Sequence, residues 1–519
     1  MERRDFLKFL GGSIGAVQLT GVSALLSSCG HTGASLGSVG IPISRMDKVS
    51  LIEGLNYQVV AKWDDPINSK EKFGFNNDFV AYLKNSNKEF LWVNHESVWP
   101  LLSTGWEKGM PRKKSDVDKE MSEVGGSFIQ VAKTQSGWKL INSNRNFRMD
   151  AHTPIPFAWD SPIEGTTQAI GTLANCGGGL TPWGTILTCE ENFEKFFGHK
   201  YKRMQWTTFY NRPAEHYGWV VEINPDTKKA KKLVSMGRFA HESATVLELP
   251  DGRLAVYMGD DKRDQHLYKF ISEKPGSLER GELFVASLEK GKWLSLDINK
   301  QAVLKENFKD QTEIQINTRK AAELVGATPL ARPEDIQIDP LTGNVIVALT
   351  NNKPKGNYHG ELLKVEAQNN DHSSENFSAE TFLAGGEETG FACPDNLLFD
   401  SKGNLWFTTD ISEKDMVKPH YRNFGNNSLF VIPRTGANAG KAVRVANAPV
   451  DAEFTGPCFN DNEDTLFLSV QHPGYQSKVR EGKFTSRWPE GGNTIPRSAV
   501  IAIQGFSSSP QADSLAWNQ

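Results

Sequence analysis

The chain has 519 residues and a mass of 57.6 kDa, with 58 lysines and arginines against 62 acidic residues and a formal charge of -4. That balance lacks the basic excess of a nucleic-acid binder, and a hydrophobic content of 38% with 13 tryptophans excludes a wholly disordered chain. A mean hydropathy of -0.46, with no helix-spanning apolar run after residue 30, excludes a multi-span membrane protein.

Residues 1–28 read as an export signal. Arg3-Arg4-Asp5-Phe6-Leu7-Lys8 precedes a modestly apolar stretch from Phe9 to Leu26, the pattern of a twin-arginine signal that export machinery recognises. Gly11, Gly12, Gly15 and Gly21 make this stretch too weakly apolar for a stable spanning helix. Leu26-Ser27-Ser28-Cys29 resembles a bacterial lipobox, so Cys29 is the expected lipidation site and membrane anchor. The bland alternative is a plain signal peptide with a chance cysteine. Twin-arginine routing implies folding before export, and places the mature chain in the periplasm or on a membrane as a lipoprotein. Residues 29–49 are expected to be a flexible tether, since Gly30 to Gly40 is rich in glycine and serine.

From residue 50 to 519 the chain reads as one all-β domain. Six hairpins recur, each a polar start, a short strand, a turn and a second strand ending in ligand-type side chains. In chain order they begin at Asn76-Asn77-Asp78-Phe79, Cys176-Gly177-Gly178, His241-Glu242-Ser243-Ala244, Pro333-Glu334-Asp335, Pro394-Asp395-Asn396 and Gly456-Pro457-Cys458. Their second strands end at Asn94-His95-Glu96, Cys189-Glu190-Glu191, Asp260-Asp261, Leu349-Thr350, Thr409-Asp410 and Gln471-His472. Such repetition predicts a six-bladed β-propeller with inserted loops and short helices. A β-sandwich is the competitor, but six hairpins do not share one sandwich core easily. Charged or mixed tracts near 100–125, 195–215, 275–330, 410–430 and 474–495 are the expected insertions, and Thr318–Val325 the expected short helix.

In a propeller the same end of every inner hairpin faces one mouth, so Glu96, Glu191, Glu242, Asp260, Asp261, Glu334, Asp335, Asp395 and Asp410 are candidates to converge. Crowded carboxylates repel by several kcal/mol per close pair unless cations neutralise them. Hard oxygen donors, with Asn77, Asn94 and Asn396 as carbonyls, suit calcium. Acidic residues solvated at turns are the bland reading of any single member. Beyond Cys29 the cysteines are Cys176, Cys189, Cys393 and Cys458. A Cys176–Cys189 disulfide and a Cys189 thiolate beside Glu190-Glu191, favouring a transition metal, stand level at this point. No Walker phosphate loop and no His-Glu-x-x-His zinc helix occurs.

Arg3-Arg4, Asn76-Asn77-Asp78-Phe79, Asn94-His95-Glu96, Thr181-Pro182-Trp183-Gly184 with Thr188-Cys189-Glu190-Glu191-Asn192, Gly237-Arg238-Phe239-Ala240-His241-Glu242, Arg332-Pro333-Glu334-Asp335, Cys393-Pro394-Asp395-Asn396 and Gln471-His472-Pro473-Gly474 together resemble the PhoX family of bacterial alkaline phosphatases. The likeness runs in order from residue 50 to 505, in a chain compact for the family. It implies a propeller whose mouth holds several calcium ions and two ferric ions with a bridging oxo group, and which cleaves phosphate monoesters. Carried over by motif, Cys189 is the implied iron thiolate, and Glu242, Glu334 and Asp395 the cluster carboxylates. Glu190, Glu191, Asp335, Asn77, Asp78, Asn94, Glu96 and Asn396 are further implied metal ligands. Arg332 is the implied phosphate-gripping residue, acting with Glu334 and Cys189 in catalysis. Lys262 and Arg263 are candidate second cations for the phosphate, with a solvated turn as their bland reading. His95, His241 and His472 are open between site and packing roles. The expected partners are small phosphate esters and the export machinery, with no nucleic acid and a monomeric state. The competing functions are a calcium-dependent propeller hydrolase of another ester, such as a lactone, and a non-catalytic surface-binding propeller.

Overall fold

The computed structural model describes residues 39–199 and 203–506. The expected export signal, Cys29 and the tether before residue 39 lie outside them. Each sequence hairpin forms the two innermost strands of a blade. These are Asn77–Asn85 with Lys88–His95, Asn175–Leu180 with Ile186–Glu190, and Thr245–Glu248 with Leu254–Gly259 in blades one to three. Blades four to six contribute Pro333–Ile338 with Val345–Leu349, Pro394–Phe399 with Leu405–Thr409, and Glu453–Phe459 with Thr465–Gln471. The innermost strands touch their neighbours in a closed circle, the first meeting both the second and the sixth. The expected six-bladed β-propeller is what the chain forms.

The second strand of each hairpin carries no alternating pattern because both of its faces are covered. Val345–Leu349 and Thr465–Gln471 are buried throughout. Six apolar clusters sit one in each seam between adjacent blades, such as Ile346, Ala348 and Leu362 of blade four against Leu397, Phe407 and Phe430 of blade five. The turns far from the mouth are made by aspartate and glycine. Asp339 accepts from the Leu341 amide at 2.9 Å and Asp400 from the Asn404 amide at 2.8 Å, while Gly343 and Gly403 take φ of 76° and 77°, which suits a residue without a Cβ.

Blade six is closed by both ends of the chain. Asn56–Lys62 pairs with Ala499–Gln504, supplying the fourth strand of a sheet otherwise built after residue 452. Val39–Gly40, expected within the flexible tether, instead pairs parallel with Val443 and Arg444 on the outer strand of blade five. Thr318–Val325 is the expected helix. The tract 275–330 is not wholly an insertion: Gly281–Ser287 and Lys292–Ser295 are the outer strands of blade three, which has five.

At the mouth, the insertions of blades one and two fold together. Helices Pro100–Ser103, Lys114–Glu123 and Glu194–Phe197 share an apolar cluster containing Val117, Met121, Phe196 and Trp206. Within it the buried Glu120 accepts from Arg112 Nη1 at 2.7 Å and from the Trp206 indole at 2.9 Å. Among the described residues, no helix is long and apolar enough to cross a membrane.

Candidate active site

One backbone device repeats at the mouth. Asn76, Ala174, Arg332 and Cys393 each adopt a positive φ just before an innermost strand, at 41°, 55°, 60° and 56°. Non-glycine residues rarely do so, and such conformations gather at functional sites. Next comes a paired residue, and then the ladder slips by one: Asn77–His95 to Val80–Val93, Asn175–Glu190 to Gly178–Thr188, Pro333–Leu349 to Ile336–Val347, Pro394–Thr409 to Leu397–Phe407. Blade three slips likewise between the His241–Asp260 bridge and the Thr245–Tyr257 pair. A bulge re-aims the side chain beside it. Here the residue after the last pair is Asp78, Cys176, Glu242, Glu334 or Asp395, and all five line one cavity of about 260 Å³. In blade six the equivalent residue is Gly456, where a Cβ would lie 2.6 Å from the Asp78 carbonyl, and Glu453 and Gln471 reach the cavity instead.

Among the described residues, nine carboxylates line this cavity against three cationic side chains, Lys195, Arg203 and Arg332. Donor atoms of Cys176, Glu191 and Glu242 lie within 4.8 Å of one another, as do those of Glu242, Asp261 and Glu334. Cys176 Sγ is 3.3 Å from both Asp78 Oδ2 and Glu242 Oε1. Arg332 donates through Nε and Nη2 to Asp261 at 2.7 and 2.9 Å; Nη2 also reaches Glu334 at 2.6 Å, and Nη1 reaches Asp410 at 3.3 Å. Burial first, then neighbouring carboxylates, pushes Asp78, Glu242, Asp395 and Glu453 well above the usual acid range. Glu191 and Glu334 rise too, although Lys262 and Arg332 oppose the shift. Asp261 moves the other way: burial would raise it, but Arg332 and Lys262 outweigh that and hold it ionised.

The donor set fits multivalent cations. Asp78 Oδ1 and Glu242 Oε2 are buried and accept no hydrogen bond among the described residues, which is costly for an oxygen unless a cation takes the place of the missing donor. The carboxylates are hard donors for calcium, and the Cys176 sulfur suits a softer metal.

Of the ligands expected from sequence, Glu191, Glu242, Glu334, Asp395, Asp78 and Glu96 line the cavity, and so does Arg332. Cys189 does not. Its side chain is fully buried in the apolar seam of blades two and three, beside Val220, Val256 and Met258, and burial pushes its thiol up. The thiol at the mouth is Cys176, and both cysteines are free rather than joined. Glu190 is also turned away, into a buried ion pair with Lys232 at 2.7 Å. Asp335 and Asn396 line a separate axial cavity, where Asp335 accepts from the Ile336 and Leu397 amides and burial pushes it up to about 7. Asn396 Oδ1 accepts from the Gly456 amide at 2.9 Å.

Asn94 serves as a brace: its amide donates to the Cys176 and Gly177 carbonyls at 2.7 and 2.8 Å, and its oxygen accepts from Trp92 and Thr188. Asn77 donates to the Ala499 carbonyl at 3.0 Å. Lys262 lies outside the lining and holds Glu191 at 3.3 Å and Asn192 at 3.0 Å, while Arg263 turns to Asn351 at 3.2 Å. Neither is a cavity cation. His95 and His241 are packing residues, bonded to the Phe75 and Gly237 carbonyls, whereas His472 lines the mouth. Sequence reasoning missed Glu453, Lys195 and Arg203, and gave Gln471 only as a strand end and part of a family motif.

A family model described as alkaline phosphatase PhoX matches residues 38–474. Pseudomonas fluorescens PhoX, solved in complex with vanadate, a transition-state analogue, is 28% identical at a TM-score of 0.81, over 92% of this chain and 100% of that one. A protein of unknown function from Dyadobacter fermentans is 11% identical at a TM-score of 0.43, over 88% of this chain and 99% of that one. A gluconolactonase from Xanthomonas campestris is 9% identical at a TM-score of 0.35, over 91% and 97%. The last two are too distant to carry an argument. No curated protein is significantly similar in sequence. Motifs, ring closure and a family match over most of the length agree: this chain belongs to the PhoX family of alkaline phosphatases.

Proposed function

We propose that the mouth hydrolyses phosphate monoesters and releases inorganic phosphate, with calcium and iron ions held by the converging side chains. The observation that carries this is the meeting of nine carboxylates, the Cys176 thiol and Arg332 on one cavity of about 260 Å³. Asp78, Glu96, Glu191, Glu242, Asp261, Glu334, Asp395 and Glu453 would hold the ions, with Cys176 as the soft donor for iron. Bound cations would supply charge to clamp a phosphoryl group and to acidify water. Asp261, bidentate on Nε and Nη2, and Glu334 on Nη2 fix the plane of Arg332 before substrate arrives, and Nη1, 3.3 Å from Asp410, is the nitrogen that would meet a phosphate oxygen. Gln471, donating to Asp78 at 2.8 Å, and Thr350, donating to Glu334 at 2.9 Å, keep those carboxylates oriented. The twin-arginine signal and the Cys29 lipobox support an exported protein, anchored by lipid or free in the periplasm.

Metal analysis of folded protein purified without chelator, paired with p-nitrophenyl phosphate turnover, tests the reading. Calcium and iron are expected together with turnover that chelators abolish. Turnover unaffected by metal removal overturns it.

A further inference from the structure

The three cationic side chains of the mouth are not equivalent. Arg332 is tied to Asp261, Glu334 and Asp410, and Lys195 reaches Glu96 at 3.5 Å. Arg203 lines the same cavity but pairs with no carboxylate among the described residues. Its Nη2 donates instead to the Tyr475 hydroxyl at 3.4 Å. Three insertions meet at this point. Arg203 comes from that of blade two and Tyr475 from that of blade six, while Trp99 comes from that of blade one and stands 5.0 Å from the Tyr475 ring. His472 packs on Tyr475 from the other direction at 5.3 Å, and Arg480 Nε meets Glu107 at 2.5 Å, tying the insertions of blades six and one together. Tyr475 is thus half-buried between two rings, and Arg203 is exposed at the rim.

A phosphoryl group held by Arg332 Nη1 and the ions leaves the alcohol part of its ester facing the opening. There the alcohol meets a guanidinium that no carboxylate neutralises. Such a group draws a carboxylate or a phosphate through charged hydrogen bonds, whereas a neutral alcohol gains little from it. The cavity, about 260 Å³, is smaller than most small-molecule sites, so the alcohol that spans from Arg332 to Arg203 is short. We propose that Arg203, set by Tyr475, is an outer anion subsite that selects small phosphate monoesters whose alcohol carries a second anionic group, a carboxylate or another phosphate. This selection rests on the phosphatase reading above. Arg203 faces the alcohol and not the reacting phosphorus, so its contribution is alike in the ground and transition states and belongs to KM.

The test is steady-state kinetics of the metal-loaded, full-length protein at one fixed free calcium level. Glycerol 3-phosphate, 3-phosphoglycerate and 2,3-bisphosphoglycerate share a three-carbon skeleton and differ in the second anion, and AMP offers an aromatic ring instead. Wild type is expected to favour 3-phosphoglycerate over glycerol 3-phosphate about fivefold in kcat/KM, the upper value of one exposed ion pair, with the difference in KM. High salt should shrink that preference, because an exposed pair is screened. Arg203→Gln should bring the ratio of the two esters to about one, and Arg203→Lys, which keeps the charge, should retain part of it. A larger gain for 2,3-bisphosphoglycerate assigns the subsite to phosphate, and a gain for 3-phosphoglycerate alone assigns it to carboxylate. The proposal is overturned if wild type does not distinguish 3-phosphoglycerate from glycerol 3-phosphate, if Arg203→Gln keeps the preference, if salt leaves it untouched, or if AMP is the favoured ester, which would make the Tyr475 ring the reader. A wild type that turns over none of these esters, nor p-nitrophenyl phosphate, is a different result and overturns the phosphatase reading itself.

Discussion

Two cysteines thirteen positions apart have opposite fates because strand side chains alternate and bulges reset the alternation. Cys189 belongs to a regular ladder, pairing with Val220, and packs in a seam; Cys176 sits where the ladder slips and turns to the mouth. Cys176→Ser is expected to lower iron content and kcat by at least 10–100-fold, a loss known even for outer partners of metal ligands. Cys189→Ala should keep the metal and cost about 1–2 kcal/mol of stability. Equal metal loss in both would remove the distinction. The sequence made Cys189 the more attractive candidate because Glu190-Glu191 follow it, yet only Glu191 reaches the cavity. Aligning the six hairpin starts would have set Cys176 beside Asp78, Glu242, Glu334 and Asp395; Glu453 escapes that alignment because Gly456 occupies its place. Far from the mouth, the fully buried Lys269 donates to the His372 and Ser374 carbonyls and, among the described residues, pairs with no carboxylate. Burial pulls its ammonium down to about 7, against weak opposition from Asp371 and Glu375. Below that pH the amine is charged in both folded and unfolded chains and the full cost of burying it applies. Above the ordinary lysine value it is neutral in both and the cost is gone. This residue therefore makes stability rise between pH 7 and pH 10, and Lys269→Met should flatten that rise in melting curves.

Inner hairpins were readable as elements because each combines a buried run, a turn marked by aspartate or glycine, and acidic ends. The strands outside them were harder. Gly281–Ser287 and Lys292–Ser295 lie in a tract whose flanking charges mimic an insertion, and the cap over the mouth depends on contacts between tracts nearly 100 positions apart. That cap hinges on Glu120, which serves Arg112, Trp206 and Thr104 at once without exposure to solvent. Removing one partner of a buried ion pair leaves the other uncompensated and costs about 3–5 kcal/mol. Glu120→Ala should speed hydrogen exchange in Lys114–Glu123 and around Trp206 well before the blades are affected. Uniform exchange across all blades would show instead that the cap is not a separate unit.

The whole ring stands on six seams, each with its own apolar cluster, and on one crowded centre where like charges oppose closure. Cations should then stabilise the molecule as well as serve its chemistry: removing them with chelator should lower the melting temperature, and restoring calcium should raise it with the concentration dependence of a bound ligand. A melting temperature indifferent to metal would mean that protonation alone relieves the crowding. Ring closure also imposes an order in time. The strand Asn56–Lys62 leaves the ribosome long before its partner, Ala499–Gln504, is made. A nascent chain thus waits unclosed until residue 504 has been made, and a product interrupted before Ala499 lacks the strand pair that locks the ring around its crowded centre.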